Sequence, residues 1–465
     1  MKKILLLIVS AAISVGAFAA SKGISPEMLQ RLREANPPTA ADRAIRNALN
    51  SSSIDKLAAN AESRPMNSSR MSNKVESRGI TDQKSSGRCW LFTGLNVLRS
   101  QMMAKHDLGE LKLSQNYNFF YDQLEKSNLF LQAVTESAKE PMDSRRVEWL
   151  FKNPLSDGGQ YTGISDNIMK YGVVPSEVMN ETYSANNTSR LRSLLSLKLR
   201  KDGLELRKMV AEGKSKKDIA ATQEKMLGEI YHILTLALGT PPQEFTWTRV
   251  NSKGKVVDTR RYTPVEFYKE YAGNDLKGDY VMLMNDPTRP YHALYEIDLD
   301  RQMADGQNWT YINLPMDEIK AMAIASIKDS TMMYFSCDVG KFFDRERGVL
   351  DVENFNYDDL LGTDFSMNKA DRIRTFASAS SHAMTLMAVD LDAEGCPQRW
   401  MVENSWGPGA NGGHLIITDP WMDEYMFRLV VNRKYVPEET LKILKQKPTL
   451  LPAWDPMFAP DLPLE

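Results

Sequence analysis

The sequence is poor in cysteine and histidine. It contains three cysteines, Cys89, Cys337 and Cys396, and five histidines among 465 residues. No two cysteines stand in a Cys-x-x-Cys spacing and no two histidines in a His-x-x-x-His spacing, so a structural zinc site is not expected. Three cysteines cannot all pair with one another. The sequence is compatible with a Cys337–Cys396 disulfide that leaves Cys89 unpaired, and it is also compatible with a free reactive thiol.

The sequence also lacks an excess of one charge and, beyond its first residues, long apolar runs. Lys and Arg number 58 against 60 Asp and Glu, so no overall field favours nucleic acid or an anionic membrane as a partner. Hydrophobic residues make up 42% and charged residues 25%, as in an ordinary globular protein. A chain of 465 residues exceeds the roughly 250 to 300 at which single cores stop growing, so two or three subdomains are expected.

The one long apolar run lies at the N-terminus. Lys2 and Lys3 precede the run from Ile4 to Val15, and Ala17-Phe18-Ala19 follows as a small-x-small site. This is the three-part pattern of a secretory signal peptide. The run is shorter than the roughly 20 residues of a membrane span, and an uncleaved anchor is the alternative. We therefore expect residues 1–19 to be removed and the mature protein to be exported, to the periplasm or outside the cell, without a membrane anchor.

The remaining chain has a helical first half and a sheet-rich second half. Two charged amphipathic segments around Gly213 predict a helical hairpin. Later segments such as "AMTLMAVDLD" and "RWMVENSW" are short, apolar and separated by turn signals, which is typical of strands. The pattern predicts the α+β class. The predicted parts are an N-terminal arm (20–75), a helical subdomain (76–187), the hairpin insertion (188–240), a β-rich subdomain (241–450) and a C-terminal arm (451–465).

Cys89 stands in a setting that suits a nucleophile. Apolar residues recur at helical spacing in "CWLFTGLNVLRSQMMAKH", so a helix is predicted to begin near Cys89, after the turn residues Ser85-Ser86-Gly87. A thiol attacks carbonyl groups as its thiolate, and the partial positive charge of a helix N-terminus favours that form. Arg88 and Lys84 could add to this effect, although a solvated cation is the more ordinary role for Lys84. A buried core cysteine is the alternative for Cys89 itself.

Three further polar residues fit the other roles of thiol catalysis. His382 precedes the apolar strand "AMTLMAV", which can hold its ring over a cleft as a general acid and base. Asn404 in "RWMVENSWG" could accept the imidazole N–H and orient the ring, and Gln83 could stabilise an oxyanion together with the Cys89 backbone N–H. Taken alone, His382 is more often an ordinary histidine, Asn404 part of a turn and Gln83 a solvated residue. Their occurrence together in this order favours catalysis.

These motifs together resemble the papain-like cysteine peptidases. Gln-x5-Cys-Trp, Ser-His and Glu-Asn-Ser-Trp-Gly are similar to that group, and "TDQKSSGRCWLF" resembles more closely the bleomycin hydrolase and aminopeptidase C family. The segments "DGGQ", "YGVVP", "NDPTRPY", "CDVGK" and "LPAWDPM" extend the resemblance over nearly the whole mature chain. It implies a papain-like fold, in which a helical subdomain and a β-barrel-like sheet subdomain carry helical insertions. It also implies peptide hydrolysis without a metal or organic cofactor, with Cys89 as nucleophile, His382 as acid and base, Asn404 as orienter and Gln83 as oxyanion donor.

The resemblance implies further contacts and an assembly. Gly158 and Gly159 match paired glycines along which a substrate backbone binds, since a missing Cβ permits close approach; a simple turn is the alternative. Trp406 would shield the hydrogen bond between the histidine and the asparagine from water. His382 follows Cys89 by 293 residues, against roughly 130 to 150 in the simple papain pattern, so inserted structure must account for the excess. In the family such helical insertions build a homohexamer whose active sites face an inner chamber.

The C-terminus departs from the family pattern. Family chains end a few residues after Trp-Asp-Pro-Met, where the terminal carboxylate binds the substrate's α-amino group and makes the enzyme an aminopeptidase. This chain continues as "LPAWDPMFAPDLPLE" past Ala459, the residue expected to lie near the substrate. Residues 460–465 are trimmed, displaced from the cleft or block it. We expect an aminopeptidase acting on peptides; the alternatives are an endopeptidase or acyl transferase with an open cleft, and a binding module with a vestigial site.

Overall fold

The computed structural model describes residues 23–63 and 68–458. The helices in these ranges are α1 (Pro26–Ala35), α2 (Ala40–Leu49), α3 (Ile54–Ala58), α4 (Cys89–His106), α5 (Gln115–Glu136), α6 (Arg145–Lys152), α7 (Tyr161–Tyr171), α8 (Tyr183–Asn186), α9 (Thr188–Ala211), α10 (Lys216–Leu238), α11 (Pro264–Tyr271), α12 (Met316–Lys328), α13 (Tyr357–Leu361), α14 (Lys369–Arg374), α15 (Asp419–Tyr425) and α16 (Glu438–Ile443). The strands are β1 (Asn73–Lys74), β2 (Phe245–Val250), β3 (Val256–Tyr262), β4 (Tyr280–Met284), β5 (Ala293–Ile297), β6 (Thr310–Asn313), β7 (Met333–Cys337), β8 (Phe343–Asp344), β9 (Val349–Leu350), β10 (His382–Leu391), β11 (Pro397–Glu403), β12 (His414–Thr418), β13 (Met426–Asn432) and β14 (Thr449–Leu451).

The chain divides into two compact units. One runs to Ala59 and includes Asn356–Asp364; the other comprises Asn60–Phe355 and the chain from Phe365 onward. In the first unit α13 joins α3, because the Asn356 N–H donates to the Ala58 carbonyl at 2.7 Å. The segment predicted as an N-terminal arm, residues 20–75, contributes to both units.

The second unit is built on a mixed sheet. Its strands lie in the order β14-β5-β6-β4-β13-β7-β10-β11-β12-β9-β8, and β1 pairs with β10. The central strands are buried on both faces, as expected when both faces are covered. Tyr334 and Ala383 belong to the core that contains the apolar side chains of α4, whereas Phe335 and Met384 belong to the core that contains those of α12. Helices on a mixed sheet confirm the predicted α+β class.

Helix α4 is the central helix of the helical part. Its residues from Cys89 to Leu98 are all buried. Gly94 lies against α7, where an added Cβ would come within 2.4 Å of the Ile164 side chain, so the two helices approach closely only because that position is glycine. The helix ends at Asp107, which has a left-handed backbone with φ of 48° and donates its N–H to Met103. Helix α4 also packs against strands β10 and β7 of the sheet.

Helices α9 and α10 form a hairpin within the segment predicted as an insertion, residues 188–240. Gly213 in the connecting turn has a positive φ of 69°, and the Ser215 side chain accepts the Asp218 N–H to begin α10. Leu195 and Leu199 on α9 are fully buried in the core that also contains α5. The opposite side of α9 is therefore free to line a cleft. No helix in the part of the chain that the structure describes is long and apolar enough to cross a membrane.

Candidate active site

Cys89 is the first residue of α4, as the sequence predicted. Its side chain is buried, with 8% exposure, and it lines a cavity of about 590 Å³ together with Gln83, Gly158 and His382. The N–H groups of a helix's first turn carry a partial positive charge. A thiolate at Cys89 is therefore stabilised by the end of its own helix.

His382 begins β10 and forms a defined pair with Asn404. The Nε2 atom of His382 lies 2.8 Å from Oδ1 of Asn404, and the same oxygen accepts the Ser405 N–H at 2.8 Å. Because that oxygen is an acceptor in both contacts, Nε2 of His382 carries a proton and Nδ1 of the neutral ring carries the lone pair. Burial lowers the pKa of His382 to about 4, and the hydrogen bond to Asn404 opposes part of this shift.

Trp406 covers the His382 ring. The two ring centroids lie 4.7 Å apart with an angle of 29° between the planes. The backbone of Trp406 also pairs with Asp82, next to Gln83 in the chain. The indole thus lies over the ring whose Nε2 atom is hydrogen-bonded to Asn404.

Gln83 is held by the segment that follows Asn404. Its backbone N–H donates to the Ser405 carbonyl at 2.8 Å, and its Oε1 accepts the Ser405 hydroxyl at 2.7 Å. These contacts fix the amide so that Nε2 donates to the Ser86 carbonyl at 2.7 Å. An amide nitrogen has two hydrogens, so the second is available to a ligand in the cavity that Gln83 lines.

The loop with the paired glycines lies against the turn before Cys89. Asp157 Oδ2 accepts the Gly87 N–H at 2.8 Å, and the Asp157 carbonyl accepts the Trp90 indole N–H at 3.0 Å. An added Cβ at Gly159 would lie 2.7 Å from the Trp90 ring, so that position requires glycine, while Gly158 lines the cavity. Burial raises the pKa of Asp157, but hydrogen bonds, led by that from Thr188, outweigh it and leave the pKa below its usual range.

The two cations that flank Cys89 in the chain have carboxylate partners. Arg88 is fully buried, its guanidinium lies 2.7 Å from Glu181, and it contacts the ring of Phe92. Lys84 is exposed and lies 2.5 Å from Asp82. Each charge is thus matched locally. The expectation that Arg88 adds to the field at the Cys89 thiol gains no support from this arrangement.

The disulfide that the sequence left open does not form. Cys337 is fully buried in β7, opposite His382 in the register of β7 and β10. Cys396 is exposed in the turn after β10. Since β10 has 10 residues, the two thiols lie at opposite ends of a strand about 30 Å long. Burial, with the nearby Asp338 and Cys89, raises the pKa of Cys337 well above its usual range, so Cys337 stays a thiol.

A buried ion pair connects the helix of Cys89 to the strand that ends just before Asn404. Arg99 on α4 lies 2.8 Å from Glu403, the last residue of β11, and both side chains are almost completely buried. Arg99 also donates to the carbonyls of Arg78 and Gly79, each at 2.7 Å. Sequence reasoning missed this pair, because its members lie 304 positions apart in the chain.

The described part of the C-terminal arm is held by Arg428. Met457 is buried, and its carbonyl accepts a hydrogen bond from Arg428 on β13 at 2.8 Å. Arg428 lines a second cavity, of about 180 Å³, together with Gly158 and Gly159. Arg428 thus contacts the arm and also lines the cavity of the paired glycines. Ala459, predicted to contact the substrate, lies outside the described residues.

Sequence reasoning also missed Arg428, although a signal was present. This single arginine interrupts the otherwise apolar strand "MFRLVVN", and such an interruption calls for a buried partner.

Among the described residues, no group of three or more His, Cys, Asp or Glu side chains is arranged to hold a metal ion.

A cysteine at a helix N-terminus, beside a histidine oriented by an asparagine, is the arrangement of a cysteine peptidase. Residues 23–458 match the model of the Peptidase C1-like family, and the chain belongs to that family. The protein is accordingly a cysteine peptidase.

Several known proteins are similar over most of the chain. Human (Homo sapiens) bleomycin hydrolase is 41% identical over 394 residues, which cover 83% of this chain and 86% of the relative. Aminopeptidase C of Lactobacillus delbrueckii subsp. lactis is 36% identical over 419 residues, 89% of this chain and 93% of the relative. The crystal structure of PepW from Lactobacillus rhamnosis HN001 superimposes with a TM-score of 0.91 at 39% identity, covering 94% of this chain and 99% of that one.

Proposed function

We propose that this protein is a cysteine aminopeptidase that removes N-terminal residues from peptides. Cys89 is the nucleophile, His382 the general acid and base, Asn404 its orienter and Gln83 an oxyanion donor. The observation that carries the proposal is one cavity lined by Cys89, Gln83 and a His382 ring whose Nε2 atom is bonded to Asn404. Relatives named aminopeptidase C and bleomycin hydrolase support the same activity.

The reaction follows from the state of the histidine. Burial lowers its pKa to about 4, so at neutral pH the ring is uncharged and can take the Cys89 proton on Nδ1. The thiolate attacks the first peptide carbonyl, and the oxyanion accepts hydrogen bonds from Gln83 Nε2 and the Cys89 N–H. The imidazolium of His382 then protonates the leaving amine. A water molecule, deprotonated by His382, hydrolyses the thioester and restores the thiol.

The C-terminal arm limits the substrate to peptides with free N-termini. Arg428 holds the Met457 carbonyl and lines one cavity with Gly158 and Gly159, the residues proposed to bind the substrate backbone. A carboxylate from the arm, near Ala459, then binds the substrate's α-amino group. Residues 460–465 are removed or displaced before the enzyme acts.

Export and assembly complete the proposal. Residues 1–19, which lie outside the described residues, direct the protein out of the cytoplasm and are then removed, as intact mass measurement of the exported protein would test.

The enzyme works as a homohexamer, in keeping with apolar side chains of α9 that are about half exposed or more in a single chain: Leu194, Leu197 and Leu204. Light scattering of the purified protein would test this state.

The decisive assay compares free and blocked substrates. Fluorogenic amides of single amino acids and short peptides are offered with a free and with an acetylated amino group, to the mature protein with and without residues 460–465. Cys89→Ala serves as the inactive control. We expect cleavage only of free amines, with the Cys89 thiol required. Equal cleavage of acetylated peptides would instead establish an endopeptidase with an open cleft.

A further inference from the structure

The cavity at Cys89 extends to one face of helix α9. Beyond Gly87 and Asp157 the wall of this cavity is formed by residues 152–156, at and after the end of α6, and by α9 side chains, namely Ser189, Arg192, Ser193, Ser196 and Arg200. Positions 189, 193, 196 and 200 are spaced as neighbours on a single helix face. Helix α9 thus presents hydroxyl and guanidinium groups, and no apolar side chain, to the site of the chemistry.

Arg200 contributes a charge that no carboxylate balances. Its Nε donates to the Phe151 carbonyl at 2.9 Å and its Nη2 to the Lys152 carbonyl at 3.2 Å, at the end of α6. Both acceptors are neutral. In the described part of the chain no Asp or Glu oxygen lies within 4.0 Å of this guanidinium, and Nη1 makes no hydrogen bond there. These contacts fix the guanidinium and leave its charge to a ligand.

The other charges on this wall are paired. Arg192 lies 2.9 Å from Asp157, and Lys152 lies 2.7 Å from Glu148 on the exposed surface of α6. Each of these pairs sums to zero formal charge. The net positive charge that the wall directs at the cavity is therefore that of Arg200.

We propose that this wall binds the side chain of the residue whose carbonyl Cys89 attacks, and that it selects an acidic side chain, aspartate or glutamate. The inference rests on the proposed function. When that carbonyl lies at Cys89 and the α-amino group points toward the C-terminal arm, the remaining direction is past Gly87 and Asp157 to α9. A guanidinium binds a carboxylate by charge-assisted hydrogen bonds, and the hydroxyls of Ser193 and Ser196 can donate to the same oxygens.

Isosteric substrates test the selection. Fluorogenic amides beginning with Glu and with Gln differ only in charge and one donor group, and so do those beginning with Asp and Asn. We expect kcat/KM to favour the acidic member of each pair by about tenfold or more. A ratio of one or below in the unaltered enzyme would overturn the inference.

Variants of α9 assign the selection to Arg200. Arg200→Gln should reduce the ratio to near one, and Arg200→Lys should keep part of it. Arg190→Gln makes the same change at an exposed position of the same helix that does not line the cavity, and should leave the ratio unaltered. An equal ratio in Arg200→Gln and in the unaltered enzyme would contradict the assignment. The Gln-amide rate of each variant reports any loss of folding.

Two further measurements separate this inference from the proposed function. The Glu to Gln ratio is also taken in the acetylated series, so that an endopeptidase would still reveal its preference. Alkylation of Cys89 by iodoacetate, relative to neutral iodoacetamide, reports the charge of the cavity without any turnover. We expect Arg200→Gln, but not Arg190→Gln, to lower the iodoacetate to iodoacetamide ratio severalfold. Cleavage of free amines without acidic preference would overturn the inference and leave the aminopeptidase standing.

Discussion

At the scale of single residues, the direction of the hydrogen bonds determines which nitrogen of His382 carries its proton and how the Gln83 amide is oriented. Asn404 Oδ1 receives two N–H groups, from His382 and from Ser405, so it can act only as an acceptor there. The proton on His382 is thereby confined to Nε2, which leaves the lone pair on Nδ1 for the proton transfer that we propose. The amide of Gln83 is fixed in the same way by Ser405.

Replacing Asn404 tests this orientation. In Asn404→Ala the ring loses its acceptor, so both its tautomer and its direction become less defined. We expect kcat to fall by about 10²-fold, with KM little changed, in steady-state kinetics on a free-amine substrate. The free energy of unfolding, measured in urea, separates a catalytic loss from a loss of folded protein. Unaltered kcat in a folded Asn404→Ala would show that the amide does not orient the histidine.

The buried histidine also makes stability depend on pH. Its pKa is lowered to about 4 in the folded chain, against 6.5 in the unfolded chain. Between these values the unfolded chain binds the additional proton, so stability is retained above pH 6.5 and lost as the pH falls toward 4. The free energy of unfolding then falls by up to about 1.4 kcal/mol per pH unit. Urea unfolding at several pH values should show a shallower dependence in His382→Gln, and equal slopes would contradict the lowered pKa.

Close approach at Gly159 is a further property of one residue. A Cβ there would meet Gln302 and the Trp90 ring at 2.6 to 2.7 Å. We expect Gly159→Ala to destabilise the protein by about 1 to 3 kcal/mol in urea unfolding and to lower activity. Gly228→Ala is the matched control, because an added Cβ on that α10 residue has no neighbour within 4 Å, and it should stabilise by about 0.5 to 1 kcal/mol. Equal effects at the two positions would mean that the contact with Trp90 carries no cost.

At the scale of elements, the proposed mechanism requires a fixed relation between α4, which begins with Cys89, and β11, which ends just before Asn404. The Arg99–Glu403 pair connects them at 2.8 Å, with both side chains buried. Such a pair adds little to stability compared with apolar packing, yet removal of one partner leaves a buried charge. We therefore expect the pair to hold the two elements in register.

Breaking this pair should be costly. We expect Glu403→Gln and Arg99→Met each to destabilise the protein by about 3 to 5 kcal/mol in urea unfolding. The double variant should lose clearly less than the sum, since it leaves no uncompensated charge. Glu148→Gln removes an exposed pair with Lys152 and should change stability by about 0.5 kcal/mol or less. Strict additivity of the two buried substitutions would contradict a coupling between α4 and β11.

At the scale of the whole molecule, the sequence predicted those features that local pattern determines. The helix beginning at Cys89, the strand after His382 and the α9–α10 hairpin follow from periodicity and turn residues. The short sequence motifs predicted the family, because they are distributed along nearly the whole chain. What stayed hidden depends on partners distant in sequence, such as Arg428 with Met457 or Arg99 with Glu403. No local pattern specifies which distant carbonyl or carboxylate a buried arginine meets.

The wall of α9 illustrates the same limit. The sequence identified α9 as an amphipathic charged helix, but periodicity alone does not say which polar face meets the cleft and which meets solvent. In the fold, Arg192 on α9 contacts Asp157, 35 positions away in the chain, and this face of α9 lines the cavity of Cys89. The sequence alone therefore did not predict the preferred first residue of the substrate, because the residues that line the cavity are brought together only in the fold.

The most direct measurement of the central claim is the product pattern from one unlabelled peptide. A peptide of about ten residues is incubated with the mature enzyme and followed by mass spectrometry over time, beside its N-acetylated form and the Cys89→Ala variant. The account predicts a ladder in which residues leave one at a time from the free N-terminus, with no change in the acetylated peptide and no products from Cys89→Ala. Internal fragments, or equal digestion of the acetylated peptide, would contradict an aminopeptidase limited by its C-terminal arm.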